Sequence, residues 1–417
     1  MYATTLNRAS LLIVSILLIA SQQAAAQAGH LDLTFGNGGI VTTDFGDQGN
    51  SNKASPNAVT IQPDGKIVVC GGVPSHTGFP VPAVARYNTN GSLDTSFGTS
   101  GIVSIPSIED VPLTAITLQT DGAIVATGSN IVVRYLSTGV LDSTFGTGGI
   151  VSLGNDFPGE PTTGVLVQPD GKILVANRYL LRFLSDGQFD NSFGTGGTAR
   201  TAGFPATGLA LLPNGKILVA SSFSGESGFI SQYDSNGSLD TTFGIGGQLA
   251  SPGTAAGLVL LGTGDFLSGG SLTNNSVLPV GGIAASSFAV SRYLGVGSTD
   301  ASFGTNGGTV TSVPGFTAIA TSGLAVQPSG DIVMLGTASH LPLTAFALAR
   351  YTPTGQLDTT FGSNGTVVTS FGLGASVSAN GLAIQSDGKI VAVGSYLLTV
   401  PHGLFDTAFK VARYLGQ

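Results

Sequence analysis

A single cysteine, Cys70, in 417 residues excludes an internal disulfide and a cysteine-held zinc site, so packing must hold this chain together. Charge is scarce as well. Only 9% of residues are charged, six are Lys, and the net charge is -8 with a pI of 4.8. A surface so poor in cations cannot neutralise a phosphate backbone, which excludes nucleic acid as a partner. Glu and Lys, the charged helix formers, are few, whereas 63 residues are Gly. Such a composition speaks for short strands and many turns rather than helical layers.

The first residues read as a targeting segment. Arg8 precedes the apolar run Leu11 to Ala20, which is followed by Gln22, Gln23 and small residues ending in Ala26-Gln27-Ala28. Charged, apolar and small-residue regions in that order make a secretory signal peptide, cleaved after Ala28 or Ala26. Ten apolar residues are too short to span a bilayer, so no transmembrane segment is expected after cleavage. Residues 1-28 are therefore assigned to the signal and 29-417 to one domain, secreted or periplasmic. Loss of Arg8 takes the net charge from -8 to -9. In an exported chain, Cys70 within the apolar IVVCGG reads as a buried packing residue rather than a reactive thiol.

What the sequence has in abundance is repetition. The motif D-x-[ST]-F-G-x-x-G begins at Asp32, Asp94, Asp142, Asp190, Asp240, Asp300 and Asp358. Between its copies lie seven tight turns of the QPDGK kind and seven aromatic positions, Tyr87, Tyr135, Phe183, Tyr233, Tyr293, Tyr351 and Tyr414. Each unit contains four short runs rich in Val and Ile and bounded by Gly, Pro, Asp or Asn, the pattern of strands. Four-stranded antiparallel units repeated radially make an all-β propeller, here with seven blades. The chain opens on the last strand of a unit and stops at VARYLGQ, where that strand is missing. Pairing of Ile40 to Thr43 beside Val411 to Tyr414 would close the ring with its own termini and leave no open seam.

The LDxTFGxxG, QPDGKI and ARY elements resemble the delta-60 repeat family, tandem repeats of exported bacterial proteins understood as β-propellers. The resemblance covers nearly all of residues 29-417. It implies a fold but no catalytic residue and no cofactor. Departures from the pattern are Phe183 for Tyr, Gln232 for Arg, Thr299 for Leu, and a fifth turn, LGTGD, without Lys. Blade five is accordingly expected to be the irregular one.

Connection lengths, compared within the chain, separate two faces. Eight residues run from the start of the inner strand to the turn glycine in every unit, and ten from the aromatic to the motif Phe. Turn glycine to aromatic varies from 12 to 29 residues, and motif end to inner strand from 9 to 18. In an up-and-down blade the two constant connections share one end and the two variable ones the other, so all length freedom lies on one face. On the inner strands, Ala58, Ala115, Gly164, Gly208, Gly257, Gly323 and Gly381 are small where the next residue is always large, which lets a bulky side chain meet a flat neighbour.

The chemistry is less legible. No nucleophile elbow, P-loop, zincin or EF-hand pattern occurs, and the absence of Trp weakens quinoprotein and WD-repeat readings. The seven motif aspartates are best explained as turn carboxylates, with a metal ring as the alternative. The repeated Arg residues read as their partners. Candidate ligand-binding residues are an uncharged polar ring at the start of the inner strands, Asn57, Thr114, Thr163, Thr207, Ser322 and Asn380, and the loop residues His76, Glu226, His340 and His402. Two function classes remain. One is an exported scaffold whose variable face binds an extracellular protein or glycan, and the other a glycan-directed hydrolase or lyase built from loops on that face. The apolar, Pro-rich long loops favour binding over catalysis, and no metal or other cofactor is expected.

Overall fold

The structure is a computed structural model that describes residues 27–45, 54–154, 162–202, 205–222, 228–273, 286–340, 342–372, 374–399 and 405–417. The described strands form seven antiparallel sheets. Blades 1 to 6 occupy residues 55–104, 113–152, 164–200, 206–250, 257–311 and 318–369. Blade 7 joins three strands within residues 375–414 to the strand Ile40–Asp44. The first strand of each sheet touches the first strand of both neighbouring blades. Seven such contacts close a ring, so these strands surround the axis.

Closure occurs where the sequence placed it. Ile40 pairs with Ala412, Val41 with Val411, Thr42 with Lys410, Thr43 with Phe409 and Asp44 with Ala408. The first and last strands thus belong to one sheet, and the ring has no unpaired seam. Blade 5 is the irregular one: beside its outer strand Gly308–Thr311 it carries an additional short pairing at Ser298–Thr299.

The core is divided. Seven apolar clusters each bridge one pair of adjacent blades, and each contains one motif Phe together with one of the repeat aromatics, as with Phe97 and Tyr135 between blades 1 and 2. The seven motif Phe residues are at most 2% exposed. Cys70 lies in the wedge between blades 1 and 2, where burial pushes its thiol up to about 12. A thiol so desolvated does not ionise near neutrality and behaves as a small apolar side chain.

Near the axis the wedges are shaped by the small residues. A Cβ placed on Gly323 would stand 2.6 Å from Cβ of Leu382 in the next blade, whereas one on Gly257 would stand 3.4 Å from Cβ of Leu324. The first distance requires the blades to move apart, and the second is ordinary contact. Gly323→Ala is therefore expected to destabilise the fold by about 1–3 kcal/mol, and Gly257→Ala to stay within about 0.5 kcal/mol of the parent. Urea unfolding of the two variants checks this, and equal losses would show that the blade spacing is not set by these contacts.

Candidate functional site

Six of the seven repeat units build the same corner on the face of the constant connections. In blade 1, Asp94 Oδ1 accepts from the Ser96 amide at 3.1 Å and the Ser96 hydroxyl at 2.6 Å, while Oδ2 accepts from Arg86 Nε at 2.8 Å. The same guanidinium donates from Nη1 to Ser137 O in blade 2 at 2.5 Å and lies 4.5 Å over the Phe97 ring. Arg134, Arg182, Arg292, Arg350 and Arg413 repeat both contacts, each reaching a carbonyl of the following blade. Each guanidinium therefore joins its own Asp, its own Phe and its neighbour's backbone. The turn lysines add charge from a second side, with Lys66 3.0 Å from Asp94 and Lys389 3.4 Å from Asp32.

Blade 4 solves the same problem differently. Gln232 stands where the others have Arg, and Lys216 Nζ reaches Asp240 Oδ2 at 2.5 Å instead. That ion pair and the Thr242 hydroxyl hold the Asp240 carboxyl down at about 2, against a usual value of 3.8. Burial alone would raise Asp190, but the Ser192 hydroxyl and amide with Arg182 and Lys172 bring it to about 2 as well. With their acceptor oxygens and charges engaged in this way, the motif aspartates are structural groups. Among the described residues no cluster of three or more His, Cys, Asp or Glu is disposed to hold a metal ion.

The polar ring is half-buried at the opposite end of the inner strands. Sequence spacing placed these residues at the strand start. In blades 1, 2, 4, 6 and 7 the strand begins earlier and the ring residue is instead the unpaired residue of a β-bulge, as the register shift between Pro56 and Ala58 shows for Asn57. The bulge turns the side chain across the junction. Asn57 Nδ2 donates to Leu113 O and Asn380 Nδ2 to Pro56 O, both at 2.7 Å. Thr114, Thr163 and Thr207 donate to Thr162 O, Ala206 O and Ala255 O. Five ring positions thus latch the following blade, and the amide oxygens of Asn57 and Asn380 are taken by Ser55 and Ser378. Ala256 has no such donor, and Ser322 bonds Leu335 O of its own blade at 3.5 Å. Between blades 5 and 6 the substitute is Thr321, whose amide donates to Ser271 Oγ at 2.8 Å and whose hydroxyl donates to Gly270 O at 2.9 Å.

The loop candidates are not brought together. His76 is exposed between the second and third strands of blade 1, and His340 is exposed at the end of the corresponding strand in blade 6. Glu226 and His402 lie outside the described residues. The two variable connections do share one face: Asp110 N, before blade 2, donates to Pro80 O of the blade 1 loop at 2.9 Å, and Gly228 N to Gly253 O at 2.8 Å. The height of this face is uneven. The middle two strands of blades 6 and 7 have 9 and 10 residues, against 4 and 5 in blade 3.

Sequence reasoning overlooked the axial hollow on the other face. An open concavity of about 740 Å³ is bordered by the inner-strand ends Ile61, Leu118, Val326 and Ile384 and by turn residues including Gln62 and Asp121.

The strand pairing and its corners define a seven-bladed β-propeller made of tandem repeats. A profile described as a beta-propeller domain of unknown function, DUF5122, matches residues 62–97, 168–193, 212–243 and 327–361, in keeping with a β-propeller repeat family. No similar protein was found among curated proteins. Among solved structures, a PL25 polysaccharide lyase, an ulvan lyase bound to -[GlcA(1-4)Rha3S]-, is 11% identical over 92% of this chain and 95% of its own, with a TM-score of 0.49. A protein of unknown function from Bacteroides caccae is 14% identical over 76% and 99%, with a TM-score of 0.39. One from Dyadobacter fermentans is 12% identical over 90% and 99%, with a TM-score of 0.40. Blade number and closure rest on the strand pairing described above.

The corners set the acid limit of the fold. Asp190 and Asp240 have folded pKa values of about 2, below the usual 3.8, so their contribution is fully present above pH 4 and is lost as pH falls towards 2. The other motif aspartates are shifted in the same direction. Stability should be flat from pH 7 to 5, with cooperative unfolding between pH 4 and 2, read from the near-UV circular dichroism of the buried tyrosines. A transition above pH 5 would show that other groups govern it.

Proposed function

We propose that the protein is an exported propeller scaffold of the delta-60 repeat kind that binds an extracellular protein or glycan through its variable-loop face. The observation that carries this reading is the unequal use of the two faces. On the constant face, length is fixed and the repeated corners are consumed in blade-to-blade bonding, whereas the loop face holds all the length variation and the raised strands of blades 6 and 7. Exposed apolar side chains stand at its loops, Phe79 at 50% and Leu343 at 40%. Loops on a rigid ring can vary without disturbing the wedges that hold the ring. The latching bonds of the polar ring move the contact surface outward from the channel mouth to these loops.

Export rests on the order of residues around Leu11 to Ala20, and residues 1–26 lie outside the described structure. The buried Ala28 favours the first of the two cleavage positions, after Ala26. It packs in the wedge between blades 6 and 7, and its carbonyl accepts from Gly362 N at 2.9 Å. Cleavage after Ala26 keeps this contact and cleavage after Ala28 removes it. Amino-terminal sequencing of the exported protein should begin at Gln27, and a start at Gly29 would contradict the assignment.

Binding is tested by capture on a glycan array and from an extracellular protein fraction. The double variant Phe79→Ser/Leu343→Ser should lose what the parent captures, while Ile245→Ser, at a 91% exposed position on the constant face, should retain it. The opposite pattern would place binding on the constant face, and no capture by the parent would remove the binding reading.

A further inference from the structure

The exposed apolar side chains are unevenly placed. Among the described residues ten large ones stand exposed, and six of them lie in the constant-face connections: Leu33 in blade 7, Leu136 and Val140 in blade 2, Ile245 in blade 4, and Leu294 and Val296 in blade 5. Two of these break the repeat together. Ile245 is 91% and Val296 78% exposed, whereas every other unit has Asn, Thr or Ser at the first place, as at Asn37 and Thr99, and a polar residue at the second, as at Asn90 and Thr138. They flank one junction. A Cβ on Gly297 of blade 5 would stand 3.0 Å from Gly244 N of blade 4, and Val296 and Ile245 are the chain neighbours of those two residues. Paired aliphatic side chains, at places where the other blades keep polar ones, mark a surface that is covered by something.

The blades concerned are related by symmetry. In the seven-membered ring, a two-fold axis lying in the plane of the constant face and passing between blades 4 and 5 runs through blade 1 on the far side. Such an axis lays blade 4 on blade 5 of a second copy, blade 2 on blade 7 and blade 3 on blade 6. Blades 4, 5, 2 and 7 are the ones with exposed aliphatic side chains on this face, and blades 1, 3 and 6 have none there. The charges agree with the same axis. Blade 4 has Lys216 at the turn position where blade 5 has Asp265, so each of these side chains is set opposite a charge of the other sign. A stable pair buries roughly 800 Å² on each partner, more than Ile245 and Val296 alone can supply. Connections of constant length keep the face level, and contacts spread over four blades extend across it.

We propose that the constant face is the interface of a two-fold, face-to-face dimer of this chain, with Ile245 against Val296 of the second copy and Leu33 against Leu136 and Val140 of the second copy. Both loop faces then point away from the pair, and the pairing does not depend on what those loops bind.

Sedimentation equilibrium of the mature protein across a dilution series tests this. The double variants Ile245→Thr/Val296→Asn and Leu33→Thr/Val140→Ser place at each position a residue type that other units carry there, so the blades stay intact, which near-UV circular dichroism checks. Phe79→Ser/Leu343→Ser on the loop face and Val368→Thr on the outer strand of blade 6 serve as controls. The parent should reach twice the mass of the chain, its dimer dissociation constant should rise at least about tenfold in each constant-face variant through lost apolar burial, and the controls should match the parent. A parent of any mass other than twice that of the chain, a dissociation constant unmoved in the two constant-face variants, or a loss confined to the loop-face control would overturn the proposal.

Discussion

The bond from a guanidinium to the carbonyl of the neighbouring blade is the interaction on which the ring depends. A single blade is four short strands with two apolar faces, and it cannot cover either face alone. Burial of those faces supplies the attraction between blades but does not fix their angle or height. The Asp–Arg–Phe corner does. Its carboxylate fixes the turn, the turn aims the arginine, and the arginine lies over the buried Phe while reaching one carbonyl of the adjacent unit. Lys216 holds Asp240 in blade 4 without making that reach, so the junction from blade 4 to blade 5 relies on packing and on Thr207.

The polar ring at the other end of the inner strands plays a complementary part. A bulge costs one ladder bond and turns a short polar side chain sideways, and in blades 1, 2, 4 and 7 that side chain is bonded across the junction. Six of the seven junctions are thus held near the rim by an arginine corner, and five near the axis by a neutral hydrogen bond from the ring, with the apolar wedge between them. Groups with these attachments are poor candidates for recognising a ligand, because using them would loosen the ring. Recognition is left to the variable loops.

The number of blades, the closing strand, the Asp–Arg partnership and the small–large alternation were legible because each repeats, and a repeated residue type at fixed spacing marks a repeated contact. Gly323 against Leu382 was readable in that way. The bulges were not. Asn57, Thr114 and Thr163 look alike in sequence, yet a bulge depends on how far the strand continues upstream, and the preceding residues vary in number and kind. The axial hollow was hidden for a related reason. Its walls are the ordinary aliphatic residues of the inner strands, and only their convergence on the axis makes them a hollow. His76 and His340 shared a face on paper, but loops of different blades on one face need not meet.

The pairing of Ile40–Asp44 with Ala408–Ala412 also sets an order of events. Synthesis from the amino end produces the outer strand of blade 7 first and its partner last, with about 370 residues between them. Blades 1 to 6 can form their own sheets and stack in turn as they emerge, by contacts local in sequence, whereas the seventh waits for both ends. Until then the nascent array is an open arc with an unpaired strand at one end and an exposed wedge at each end. The mature ring therefore forms in a single late step, and loss of either Ile40–Asp44 or its partner segment Ala408–Ala412 would leave an open arc in place of a closed circle.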